Sequence, residues 1–307
     1  MAIGKREKKI IRASQVSIAG NATLSLLKIV VGLIAGSLAV VADGVDSASD
    51  IITSLITLYT AYIIGRPPDP KFPYGYNKAD TIATKVLAFI IFFAGAQLAI
   101  ISFRKLLYPV DEVMPSMFAI YIIIVSVFGK LMLTVYLRKV GKSVDSAMLI
   151  ANARNMQNDV VISISVLVGL VFTFIFNLPV IDTITALLVS IYIMVVAFRI
   201  FMQTNLEMMD GVEDSEIYKK IIHVVNHVDG ASNPHRIRVR KMAHLYLIAL
   251  DIEIDGQLPL TDAHQIAIKV EESLKAEIPN IYDVLIHTEP TGNVEPGEVF
   301  GVSEKDL

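Results

Sequence analysis

Two polar triplets with the same spacing stand inside hydrophobic stretches of this chain: Asp43, Asp46 and Asp50 in one, Asn152, Asn155 and Asp159 in another. Steps of three and four residues stack side chains on one helical face over about two turns, so each triplet can turn its oxygens inward together. Two such faces make an oxygen cage for a cation. No histidine or cysteine precedes residue 223, so side-chain ligands in the hydrophobic part are held to oxygen. Imidazole and thiolate favour zinc, copper and nickel, whereas carboxylate, carbonyl and water suit magnesium, calcium and manganese; a hard divalent ion is expected. Asp46 with Asp50, and Asn155 with Asp159, are the i, i+4 pairs expected to hold it. Three carboxylates neutralise a divalent charge with one to spare, and the Asn155 amide adds a neutral oxygen. Asp43 and Asn152, a turn away, extend the site or receive the ion; Asn152 also fits as an interfacial amide bonded to backbone. Lys130 reads either as a counter-charge or as a side chain snorkelling to an interface.

These residues need helices in a membrane to hold them. The chain is 54% hydrophobic and 19% charged over 307 residues, with a mean hydropathy of +0.58, more apolar than a soluble protein of this length. A spanning helix takes about 20 apolar residues, and six stretches qualify: 14–39, 43–65, 80–107, 113–138, 147–176 and 179–204. A carboxylate costs about 2.5–3.5 kcal/mol at the centre of such a span, so several in one plane call for a partner, and a cation supplies it. Gly32 and Gly36 form a GxxxG in the first span, read as a close helix approach or as two incidental small residues.

Lysine and arginine bias sets the orientation. Lys5, Arg6, Lys8, Lys9 and Arg12 precede the first span, Arg66, Lys71 and Lys78 lie between spans two and three, and Arg138, Lys139 and Lys142 between four and five. The opposite loops, near Gly36, at Asp111 and Glu112 and at 177–179, are poor in basic residues, Arg104 and Lys105 excepted. Both termini are thus expected in the cytoplasm, with the chain in the cell's inner membrane. The first apolar run is too long for a signal peptide and lacks a small-residue cleavage site. A net charge of −3 speaks against nucleic acid as a partner, and the absence of cysteine excludes disulfides and thiolate sites.

After Asp210 the chain becomes polar and carries all six histidines. Residues 1–210 are expected as a six-helix transmembrane domain, 211–290 as a cytoplasmic α+β domain and 291–307 as a loose tail. Apolar positions follow helical spacing over 217–228, alternate over 246–254, return to helical spacing over 263–278 and alternate again over 284–286. That order, helix, strand, strand, helix, strand, predicts two helices covering one sheet. His287 and Glu289 share a strand face. His223 and His227 form an i, i+4 pair read as a solvated helix face.

The run Ala42-Asp43-Gly44-Val45-Asp46-Ser47-Ala48-Ser49-Asp50 and the run Asn155-Met156-Gln157-Asn158-Asp159 resemble the paired metal motifs of the cation diffusion facilitator transporters. The likeness extends to Tyr74-Gly75-Tyr76-Asn77-Lys78-Ala79-Asp80, to Met209-Asp210 and to Ile286-His287-Thr288-Glu289-Pro290. It implies a ferredoxin-like cytoplasmic domain that dimerises, so a homodimer. It also implies that His235, Asp251, His264, His287 and Glu289 correspond to positions binding zinc-like ions there, and that Lys78 and Asp210 form a charge interlock between domains. Zinc-transporting branches begin one or both motifs with histidine; Asp46 and Asn155 are similar to the manganese-exporting branch. Where some zinc transporters place loop histidines this chain has Phe72 and Tyr76, which leaves Asp69 without metal partners.

The expected function is therefore export of a divalent cation, manganese(II) first, with zinc, cobalt, iron or cadmium as alternatives, by proton antiport and alternating access. Carboxylates lose protons to hold a metal, so the two ions compete at one site. A membrane metal sensor without transport is the second reading. An enzyme is not expected, since no nucleophile arrangement occurs in the spans.

Overall fold

The computed structural model describes residues 5–64, 66–108, 113–143, 146–212, 215–242, 245–293 and 300–307. The loop holding Asp111 and Glu112 lies outside them. The chain divides into two compact units, one of residues 1–62 and 83–201, the other of 63–82 and 202–307.

The first unit is built from long helices: α1 (Lys5–Ala35), α2 (Leu38–Ile64), α3 (Lys78–Leu107), α4 (Phe118–Ser143), α5 (Ala147–Phe176) and α6 (Val180–Met208). All but α2 are long and apolar enough to cross a membrane, while α2 carries the three aspartates of the first triplet. The first helix stops at Ala35, short of the expected 39, because Gly36 turns to a φ of 72°, the left-handed conformation that closes a helix and that glycine adopts without strain. The N–H of Ser37 then bonds the Gly32 carbonyl at 3.0 Å. Gly32 answers the other half of the GxxxG: a Cβ there would lie 3.0 Å from the Val41 backbone nitrogen, so α1 and α2 meet closely. The opening N–H groups of α2 are satisfied from far along the chain. Leu38 N–H donates to Asp182 Oδ2 at 2.9 Å, and the Ser37 hydroxyl donates to Asp182 Oδ1. Apolar side chains of α1, α2, α4, α5 and α6, among them Ala39, Ile123, Leu170, Ala186 and Ile193, form one core cluster; Ala13, Leu137, Leu149 and Met156 form a second.

In the second unit, α7 (Glu216–Asn226), β1 (Ser232–Met242), β2 (Leu245–Ile254), α8 (Leu260–Glu277) and β3 (Ile281–Pro290) follow the expected order. The sheet is mixed, ordered β1-β2-β3, with β1 antiparallel and β3 parallel to β2. Ile237, Val239, Ile248, Leu250, Ile252 and Val284 point to one face and pack against Ile221, Val225, Val270 and Leu274 of the two helices. Alternation puts Arg238, Asp251, Glu253, His287 and Glu289 on the helix-free face. Residues 300–307 are not loose as expected: Ile237 and Val302 exchange backbone hydrogen bonds of 2.9 Å each, and a 3₁₀ turn follows at Glu304–Asp306.

Candidate metal centre

Within the first unit, α2 and α5 bring carboxylates together as their spacing requires. Asp50 lies within hydrogen-bonding reach of Asp159, and Asp46 is close enough to both Asp159 and Lys130 to feel their charges. Ionised carboxylates are acceptors only, so a proton or a cation is what would reconcile Asp50 and Asp159 at close approach. Asp46 and Asp50 are half-buried and Asp159 is buried. Lys130 is the counter-charge: its Nζ stands 3.2 Å from Asp159 Oδ2 with both side chains buried, and it does not snorkel. Asn155 is exposed and Asn152 half-buried; the structure does not draw either amide into the carboxylate group.

Asp43 belongs to a different set. Lys28 of α1 pairs with its Oδ2 at 2.7 Å, and the Ser163 hydroxyl of α5 donates to its Oδ1 at 2.8 Å. The same ammonium donates to Ser47 at 3.2 Å and Ser163 at 3.0 Å. Asp43 therefore faces the Lys28 ammonium and the Ser163 hydroxyl, one turn from Asp46. Lys28 and Lys130 pair with Asp43 and Asp159, which leaves Asp46 and Asp50 without an ion-pair partner among the described residues. Lys28 and Asp182 were not singled out from the sequence, although a lone ionisable residue inside an apolar span is a signal that a partner exists nearby.

On the helix-free face of the sheet, His235, Asp251 and Glu289 offer ligand atoms all within 4.8 Å of one another. His235 and Asp251 are cross-strand partners. The His235 Nδ1 lies 2.7 Å from the Asn233 carbonyl; a carbonyl only accepts, so Nδ1 carries the hydrogen and Nε2 keeps its lone pair in the neutral ring. That lone pair faces Glu289 Oε2 at 3.5 Å. Glu289 Oε1 is buried and accepts no hydrogen bond among the described residues, while the Asp251 oxygens are approached by the guanidinium groups of Arg236 at 2.9 Å and Arg238 at 3.7 Å. An imidazole lone pair and two buried carboxylates converging within one coordination sphere fit a divalent cation. His287, largely exposed, reaches Glu289 Oε1 at 3.6 Å, while His264 is exposed on α8 and stands apart from the group. The rings of His223 and His227 lie 4.2 Å apart, tilted by 49°, on exposed positions at the end of α7.

In the loop before α3, Asp69 is engaged by hydrogen-bond donors. Its Oδ2 accepts from the Tyr76 hydroxyl, and its Oδ1 accepts from the backbone N–H of Lys71 and Phe72 at 2.8 Å each. The tyrosine in place of a loop histidine thus occupies the carboxylate by hydrogen bonding, which holds Asp69 below the usual carboxylate range. Lys78 pairs with Asp210 Oδ1 at 2.7 Å, and Arg240 of β1 takes Oδ2 at 2.9 Å. Lys241 reaches Glu207 at 2.8 Å and Thr81 donates to it at 3.1 Å, so the expected pair is one link of a larger network.

Residues 14–209 match the cation efflux transmembrane domain, and 214–291 match the cation efflux protein, cytoplasmic domain. The manganese efflux system protein MneS of Bacillus subtilis is 30% identical over 90% of this chain and 93% of its own length. MneP of the same bacterium is 27% identical over 93% and 98%, and the cation-efflux pump FieF of Serratia proteamaculans is 29% identical over 89% and 90%. Likeness running through both domains and along nearly the whole length of these relatives makes the chain a member of the cation efflux, or cation diffusion facilitator, family of integral membrane proteins that export divalent metal cations.

Proposed function

We propose that this protein exports manganese(II) from the cytoplasm in exchange for protons, working as a homodimer in the cell's inner membrane with both termini cytoplasmic. The observation that carries the reading is the approach of Asp50 to Asp159, where a proton and a divalent ion are alternative ways to reconcile the same two oxygens. Asp46 completes an oxygen set, Asn155 and Asn152 join it when α5 turns them inward, and no imidazole or thiolate in the membrane domain draws the preference toward zinc or copper. Two relatives are named as manganese efflux proteins. Facing the cytoplasm, the carboxylates lose protons and take the ion; facing outward, protons return and the ion leaves, as six spans rock between two states.

In the ferredoxin-like cytoplasmic domain, His235, Asp251 and Glu289 would hold a resident zinc-like ion, with His287 and His264 as further candidate ligands. Bound there, the ion cross-links the three strands. The Lys78, Asp210 and Arg240 network acts as the charge interlock. The test is metal uptake into proteoliposomes under an imposed pH gradient, manganese against zinc, cobalt, iron and cadmium, with Asp50→Ala beside the parent. Proton-coupled manganese flux lost in Asp50→Ala is expected. Zinc preferred over manganese overturns the choice of ion, and flux indifferent to Asp50 overturns the site.

A further inference from the structure

Residues 300–302 dock on β1 beside the His235, Asp251 and Glu289 cluster, and the docking is built in detail. Ile237 and Val302 exchange two backbone hydrogen bonds. Gly301 between them sits at a φ of 92°, and a Cβ there would come within 2.6 Å of the Arg236 backbone, so only glycine permits the approach. The Phe300 ring lies 4.8 Å from the guanidinium carbon of Arg236 and 5.5 Å from that of Arg238, distances at which a ring face attracts a cation.

Both arginines are aimed at one member of the cluster. Arg236 Nη1 stands 2.9 Å from Asp251 Oδ2, and Arg238 Nη2 stands 3.7 Å from Oδ1. Asp251 is 2% exposed and Arg236 19%, so water screens that pair little, while Arg238 at 45% exposure adds a weaker, more screened charge. A divalent ion on Asp251 would have two guanidinium charges a few ångströms away, held in place by the phenyl ring and the docked segment. Metal and arginine are thus rivals for the same carboxylate.

We propose that the segment 300–302, acting through Arg236 and Arg238, is a tethered competitor that controls divalent-cation binding at the cytoplasmic cluster. Docking holds the guanidinium groups on Asp251 and weakens cation binding; a bound cation releases the arginines and loosens the segment. Coupling of this kind is reciprocal, so it can be read from either side. The inference rests on the reading of His235, Asp251 and Glu289 as a cation site.

The test uses the full chain in detergent, with Asp46→Ala and Asp50→Ala to remove binding in the membrane domain, and zinc chloride as the probe. Because the chain has no cysteine, Leu307→Cys gives a single attachment point for an environment-sensitive dye. Zinc is expected to shift the dye toward its free-solution emission. Gly301→Ala is expected to show that emission without zinc and to bind zinc at least about fivefold tighter by calorimetry, the low end of allosteric coupling. Phe300→Ala, which leaves the backbone alone, is expected to move both readouts the same way by less. Zinc affinity unchanged in Gly301→Ala while its dye reports release overturns the competition, as does zinc that tightens docking. Zinc binding untouched by His235→Ala shows instead that the cluster reading itself has failed, and the proposal falls with it.

Discussion

Lys28 and Asp43 pair at 2.7 Å with both side chains wholly excluded from solvent, joining α1 to α2, with Ser163 binding α5 into the same junction. Removing one partner of a buried pair strands the other, at a cost of about 3–5 kcal/mol, whereas replacing both with apolar groups is often close to neutral. Lys28→Met and Asp43→Leu are each expected to lower the thermal unfolding midpoint in detergent, and the double variant to regain most of the loss. Manganese affinity in the double variant is expected to stay near the parent's, since Asp43 is committed to Lys28. Loss of manganese binding in a double variant of normal stability would return Asp43 to the ligand set.

Lys130 Nζ stands 3.2 Å from Asp159 Oδ2, beside the proposed place of the transported ion. Two unit charges 4 Å apart interact by about 4 kcal/mol at an effective dielectric near 20, and solvent entry into a transport pathway reduces this. Lys130→Met is expected to tighten manganese binding by roughly tenfold and to slow turnover, because release becomes harder. Equilibrium binding and proteoliposome flux measured on one preparation check both halves; weaker binding together with slower flux would mean that Lys130 shapes the site instead of opposing the ion.

Asp182 caps α2 from α6. Loss of a capping side chain costs about 1–2 kcal/mol. Asp182→Ala is expected to lower stability by this much in thermal unfolding, with Asp182→Asn nearer the parent because its amide oxygen still accepts from Leu38. Equal effects of the two substitutions would show that charge, not capping, is what α2 needs.

The Tyr76 hydroxyl, with the backbone N–H groups of Phe72 and Lys71, lowers the Asp69 titration. A carboxyl depressed in the folded state stabilises the loop above its unfolded titration point, and that contribution disappears as pH falls through the folded one. Tyr76→Phe is expected to raise the Asp69 titration toward the ordinary range and to move loss of loop structure on acidification to higher pH. Carboxyl carbon NMR titration of the side chain measures this; an unmoved titration would assign the depression to the backbone donors alone.

The candidate site's carboxylates could be grouped from the sequence because helical spacing puts residues three and four apart on one face, so Asp46 with Asp50, and Asn155 with Asp159, were paired before any contact was known. The order of elements in the cytoplasmic domain was legible for the same reason, through the change from period 3.6 to period 2. Lys28 with Asp43, and Asp182 with Leu38, were not, because these partners are more than a dozen residues apart and only helix packing determines who meets. Phe300, Gly301 and Val302 were hidden by composition: glycine and proline around them read as loose chain, and a segment docked by one close-approach glycine has no periodic signature.

The pairing of β3 parallel to β2 has a consequence for biogenesis. An antiparallel hairpin such as β1 with β2 forms from neighbouring sequence, but a parallel partner waits until the whole of α8 has been made and has crossed the sheet. His235 and Asp251 face each other as soon as the hairpin closes; Glu289 arrives only with β3. The six long helices and the β1–β2 hairpin are therefore complete in the growing chain before Glu289 exists, so the three-residue cluster is among the last features of the fold to be assembled.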